Sequence, residues 1–150
     1  MYKLFLFLHL LAAIFAVGPL VGAATTASRA LRPPDADAAT SAARTIRIYS
    51  YASVVVVLLG FGLMSAQAPW DSSQHVAEIG DSWILLSIVF WGASIAVSLG
   101  GLVPALERAA ATITEGGAVS TLTGRVAVFG GVTGLLYAAI VLLMVYRPGG

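Results

Sequence analysis

His9 stands between Leu8 and Leu10, inside an apolar run, and is the one titratable side chain placed clearly within such a run. About a turn and a half of helix separates it from the start of that run. Polar groups at such depth in a membrane tend to be functional, and a neutral imidazole is a good axial ligand for haem iron. Against that stands the plainer role of a hydrogen bond to a neighbouring helix. Met64 and Met144 also lie in apolar runs, but no second His, Met or Cys is spaced to pair with His9. The sequence therefore favours no cofactor, with haem b on His9 as the alternative.

A second histidine, His75, lies among Asp71, Glu78 and Asp81. Carboxylates with an imidazole can hold a divalent cation. Their spacing matches no defined metal motif, so a solvated acidic connection is expected and no metal site. Small residues carry more information. Gly18 and Gly22, Ser94 and Ser98, and Gly130 and Gly134 are each four apart, and Gly60 and Gly62 add a smooth patch. Small residues at this spacing let helix backbones approach closely in lipid. They serve either packing within the chain or a partner interface.

Several chemistries are missing. The chain has 0 cysteines, which removes disulfides and thiolate catalysis. There is no phosphate loop, no Ser-His-Asp order and no pair of carboxylates within an apolar run. Ion-coupled transporters usually use an intramembrane Asp, Glu, Lys or Arg as carrier, and the middles of the runs hold none. A net charge of +1 without a basic stripe argues against nucleic acid as a partner. A non-enzyme is the expectation.

The elements that must position these residues follow from composition. The chain has 150 residues, 59% hydrophobic and 10% charged, against about a quarter charged in soluble domains. Apolar runs cover about 4–24, 48–66, 83–106 and 126–146, each near the ~20 residues that cross a bilayer. The fold class expected is an all-α membrane protein, a four-transmembrane-helix bundle forming a single domain over 1–150. Its helices are expected at about 4–24, 36–66, 83–112 and 122–146. The first run follows Lys3 and precedes Ala23, Ala24 and Ala27, as a signal peptide would. It exceeds the usual ~7–15-residue apolar core of such peptides, so a retained helix is expected.

Local chemistry marks the ends. Pro33-Pro34 cannot continue a helix, and Asp35 is placed to cap the next one. Gly116-Gly117 should break the third helix, and Ser120 or Thr121 should cap the fourth. Pro19 and Pro104 are read as lying near helix ends, where they disturb little. Arg29, Arg32, Arg44, Arg47, Arg108 and Arg125 fall in the first and third connections, against Lys3 and Arg147 elsewhere. By the positive-inside rule, connections one and three are cytoplasmic and both termini lie outside. Trp70, Trp83, Tyr2, Tyr49, Tyr51 and Tyr146 fall near the implied interfaces, where amphipathic rings are favoured. The abundance of Ala, Gly, Val and Arg over Lys suggests a bacterial source, hence a bacterial inner membrane. Val17-Gly18-Pro19-Leu20-Val21 is echoed by Gly100-Gly101-Leu102-Val103-Pro104, and Arg47 by Arg125. Common helix-end grammar is preferred here over an old duplication.

Laid out this way, the chain resembles a group of predicted bacterial four-helix integral membrane proteins of unknown function. The resemblance rests on Phe7-Leu8-His9-Leu10-Leu11-Ala12-Ala13-Ile14 with Gly18, on Trp83-Ile84-Leu85-Leu86-Ser87, on Leu102-Val103-Pro104, and on Leu143-Met144-Val145-Tyr146-Arg147-Pro148. It implies a topology and no activity. More distantly, the Leu8-His9 helix is similar to that of copper-resistance-D-like proteins and membrane-bound protoporphyrinogen oxidases. That likeness implies haem at His9; the intramembrane lysine of those proteins has no counterpart here.

Three functions are carried forward. The first is a non-catalytic accessory or scaffolding subunit of a larger membrane complex, bound to lipid and to other integral membrane subunits, with self-association possible in principle. A multi-subunit lipid importer of the mammalian-cell-entry (Mce) type, or a respiratory supercomplex, is the partner class named, a choice that rests on no motif. The second is a haem-binding redox protein using His9. The third is a channel or transporter for a neutral or apolar solute, with a wet cavity lined by Ser87, Ser94, Ser98 and Thr133.

Overall fold

Four long helices make up most of the chain in the computed structural model, which describes residues 1–69 and 75–148. They are α1 (Tyr2–Leu31), α2 (Ala36–Met64), α3 (Ser82–Thr114) and α4 (Ser120–Tyr146), each long and apolar enough to cross a membrane. The described residues contain no strand, only an isolated bridge between Gln67 and His75. Trp70 and Asp71, read above as an interfacial ring and an acidic member of the second connection, lie outside the described residues.

Helix ends follow local chemistry. After Pro33-Pro34, extended Asp35 caps α2 by accepting the Ala38 N–H at 3.0 Å, which satisfies one orphan donor of the first turn. At the end of α3, Gly116 adopts φ +75. Its N–H reaches Ile113 O at 3.0 Å and that of Gly117 reaches Thr112 O at 2.8 Å. This is the paired closure that a left-handed glycine permits. Ser120 and Thr121 do not cap α4: Val119 takes the cap position without a side-chain bond, and Ser120 is already helical. At the other end of α4, left-handed Arg147 stops the helix and lies 5.3 Å from the centre of the Trp83 ring. The Ser82 hydroxyl donates to Pro148 O at 2.8 Å, which ties that end to the start of α3.

Two differences from the sequence reading concern prolines. α1 continues past Ala24 to Leu31, because Ala27 and Leu31 are core residues, each 2% exposed. The Thr25 and Thr26 hydroxyls turn back onto the carbonyls of Val21 and Gly22 rather than breaking the helix. Pro19 and Pro104 therefore lie within helices, not near their ends. Each follows a wide π-helical turn, Ala13–Val17 in α1 and Ser98–Leu102 in α3. The Gly18 N–H reaches Ala13 O, and the Val103 N–H reaches Ser98 O, five residues back in both cases. A proline lacks an N–H and its ring crowds the carbonyl four residues earlier. The extra residue of a π turn is a common way for a helix to pass such a site.

That extra residue also turns the helix that follows by about 100° about its axis. The consequence is visible in the packing. The first half of α1 packs on α2, and its second half packs on both α4 and α2. In α3 the order is exchanged: the first half packs on α4 and the second chiefly on α2, with a smaller contact to α4. The echo between the two halves thus extends to a shared π turn, proline and change of partner.

The apolar core gathers toward the end of the bundle that carries connections one and three. Leu20, Ala24, Ala39, Ile46, Leu106 and Val126 are all within 1% of complete burial. Between α2 and α3, Arg47 Nη2 and Glu107 Oε1 are 2.6 Å apart. Both side chains are about half exposed, so the pair contributes ~1 kcal/mol at most.

Candidate functional site

His9 and the small residues occupy defined places in this frame. α1 carries Phe5 and His9 one turn apart, on the face that meets Gly60 and Gly62 of α2. A Cβ on Gly60 would lie 3.3 Å from His9 Cε1, and one on Gly62 only 2.6 Å from the Phe5 ring. The missing side chains of α2 make the notch into which both rings fit. Within it, the His9 Nδ1–H donates to the Val56 carbonyl at 2.9 Å. An imidazole in an apolar helix face is thereby satisfied by the backbone of its neighbour, which offsets its desolvation.

The resemblance to haem proteins is tested by that environment. Donation from Nδ1 leaves Nε2 as the ring nitrogen with a lone pair, the tautomer a metal ligand uses. The side chain is only 8% exposed, however. A cavity of about 510 Å³ at the start of α1 and the end of α2 is lined by Met1, Tyr2, Phe5 and Gly62 among others, and stops short of His9. A porphyrin on Nε2 would need more room than this burial leaves around His9.

Other small residues divide into two groups. Gly130 and Gly134 on α4 receive α1: a Cβ on Gly130 would fall upon the Ala24 carbonyl, and one on Gly134 would lie 2.8 Å from the Thr25 methyl. Ser94 and Ser98 of α3 are fully buried, and Ser98 Oγ meets Thr133 Oγ1 of α4 at 3.3 Å. Gly18 and Gly22 behave differently. Both are exposed, and a Cβ at either would meet nothing within 4 Å. This small-residue pair faces outward from the bundle.

Buried hydroxyls lie on α2, α3 and α4, at Ser50, Ser53, Ser87, Ser94, Ser98 and Thr133. The Ser53, Ser87 and Ser94 hydroxyls donate to Ser50 O, Trp83 O and Trp91 O of their own helices. All three side chains are at most 6% exposed. They pack rather than face water, which weighs against a wet channel along them. Sequence reasoning passed over Trp91, whose indole N–H donates to Ser53 Oγ at 3.0 Å and joins α3 to α2. The available signal was that a buried indole N–H needs an acceptor. Ser50 Oγ and the Tyr137 hydroxyl have no hydrogen-bond partner among the described residues.

In the second connection, His75 Nδ1–H donates to Ser65 O at 3.2 Å, and Asp81 Oδ2 accepts the Glu78 N–H at 3.0 Å. These groups close the loop on itself. Among the described residues, no group of three or more His, Cys, Asp or Glu is placed to hold a metal. No protein-family model, curated protein or solved structure matches the chain.

Proposed function

We propose that the chain spans a bacterial inner membrane four times and acts as a non-catalytic scaffolding subunit of a larger membrane assembly. Both termini are placed outside, with connections one and three in the cytoplasm, on the excess of arginine in those connections. The observation that carries the scaffolding role is the outward Gly18-Gly22 face of α1. The other small-residue pairs are engaged by neighbouring helices, whereas this one is open to close approach by a helix from elsewhere. Ile14 and Phe15, 66% and 67% exposed, flank it with apolar surface. Lipid or a partner helix must cover such a surface, and only a helix gains from its smoothness.

The test is co-purification in mild detergent from the native locus, comparing the parent with Gly22→Leu. A Cβ at Gly22 meets nothing within 4 Å, and the helical content of the variant in detergent checks that its fold is kept. Stoichiometric partners are expected with the parent and are lost from the variant, and their identity confirms or replaces an Mce-type importer as the assembly. A parent that runs as a small particle without partners removes the scaffolding role.

A further inference from the structure

Between the second half of α3 and the start of α4 runs a groove of about 190 Å³ that none of the roles above employs. Its lining includes the exposed Arg108 and Arg125 together with Gly100, Gly101, Pro104 and Phe129. From Arg108 to Gly100 the helix covers about 12 Å, so the groove leads from the level of the third connection toward the middle of the bundle. We propose that it is a binding site for one anionic phospholipid, its phosphate held by the two guanidinium groups and an acyl chain laid along the glycines. This rests on the membrane-spanning orientation proposed above.

Charge and shape both select this occupant. Arg108 and Arg125 are exposed and line one cavity, where two like charges repel. The nearest acid in sequence, Glu107, is engaged by Arg47 of α2, and neither groove arginine has an ion pair among the described residues. A phosphate accepts hydrogen bonds from guanidinium forks, at positions fixed by two helices. Basic pockets between helices on the cytoplasmic side suit anionic headgroups. A free phosphate would leave the deeper part of the groove unused. Phe129 closes one wall, its ring lying 3.2 Å from where a Cβ on Gly101 would stand, while a Cβ on Gly100 would meet nothing within 4 Å. The space beside Gly100 is therefore open, and bounded by an aromatic face.

The experiment is native mass spectrometry of the delipidated protein in detergent, offered equal phosphatidylglycerol and phosphatidylcholine. One phosphatidylglycerol is expected to be retained in preference. Loss of each groove arginine, in Arg108→Gln and Arg125→Gln, is expected to weaken retention about tenfold. A Cβ on Gly100 meets nothing within 4 Å, so Gly100→Leu puts its side chain into the groove, keeps both arginines, and should also abolish the preference. Arg32→Gln, on the same side but outside the groove, should leave it unchanged. If the arginine variants lose helical content in lipid-free detergent, Gly100→Leu carries the test alone. Equal retention of the two lipids overturns the site. So does binding of inorganic phosphate as tight as that of the lipid, or an effect of Arg32→Gln equal to that of the groove arginines. Failure of the orientation itself is read separately, by the cysteine labelling described below.

Discussion

Replacing Gly130 with alanine tests whether α1 and α4 are held together by backbone contact. A Cβ at this position falls upon the Ala24 carbonyl oxygen and lies 3.0 Å from its carbon. Non-bonded atoms in contact prefer about 3.5 Å and the oxygen is nearer than the carbon, so the helices must part by more than about 1 Å. Overpacking typically costs ~1–3 kcal/mol. The obstructing atoms are backbone and cannot rotate away, which places this case near ~3 kcal/mol. Alanine recovers up to ~1 kcal/mol of helix propensity over glycine, leaving a net loss of about 2 kcal/mol. For a chain of this size that corresponds to a fall of roughly 4–8 °C in Tm. Gly18→Ala is the internal control, since its added methyl meets nothing within 4 Å and keeps only the propensity gain. Thermal unfolding in detergent, followed by tryptophan fluorescence, reads both. The reasoning is refuted if Gly130→Ala stays within about 1 °C of the parent, or if Gly18→Ala falls as far.

Two further outcomes are expected. His9→Ala removes the bond to Val56 and leaves a void against Gly60; the two together cost about 2 kcal/mol, read as a Tm fall comparable to that of Gly130→Ala. The parent from haem-replete cells should be colourless, and a Soret band that disappears in His9→Ala would restore the haem role. The absence of native cysteine gives a clean background for topology. Ile79→Cys in the second connection should react with an impermeant maleimide on intact cells, and Ala118→Cys in the third only after permeabilisation. The opposite pattern inverts the orientation, and labelling of both on intact cells removes the membrane-spanning reading.

The glycines show where sequence reasoning reaches and where it stops. Spacing alone marked Gly18-Gly22 and Gly130-Gly134 as equivalent small-residue pairs, and nothing local distinguishes them. One lies under the backbone of α1 and the other looks outward, because azimuth along α1 depends on the π turn at Ala13–Val17. The groove between Arg108 and Arg125 was illegible for a related reason: the two arginines stand on different helices, and only the packing of α3 on α4 brings them to one cavity.

By itself the sequence determined four apolar helices, the start of α2 at Asp35 and the end of α3 at Gly116. Each of these is set by short-range chemistry: apolar run length, a missing proline N–H, a side-chain cap, a glycine free to adopt positive φ. Tertiary structure decided which faces meet. It carried Pro19 and Pro104 inside helices behind π turns, gave His9 its acceptor in α2, joined Trp91 to Ser53, and left Gly18 and Gly22 uncovered. Those outcomes depend on rotation about helix axes, and a rotation accumulated over many residues is fixed by the sum of distant contacts rather than by any neighbouring side chain.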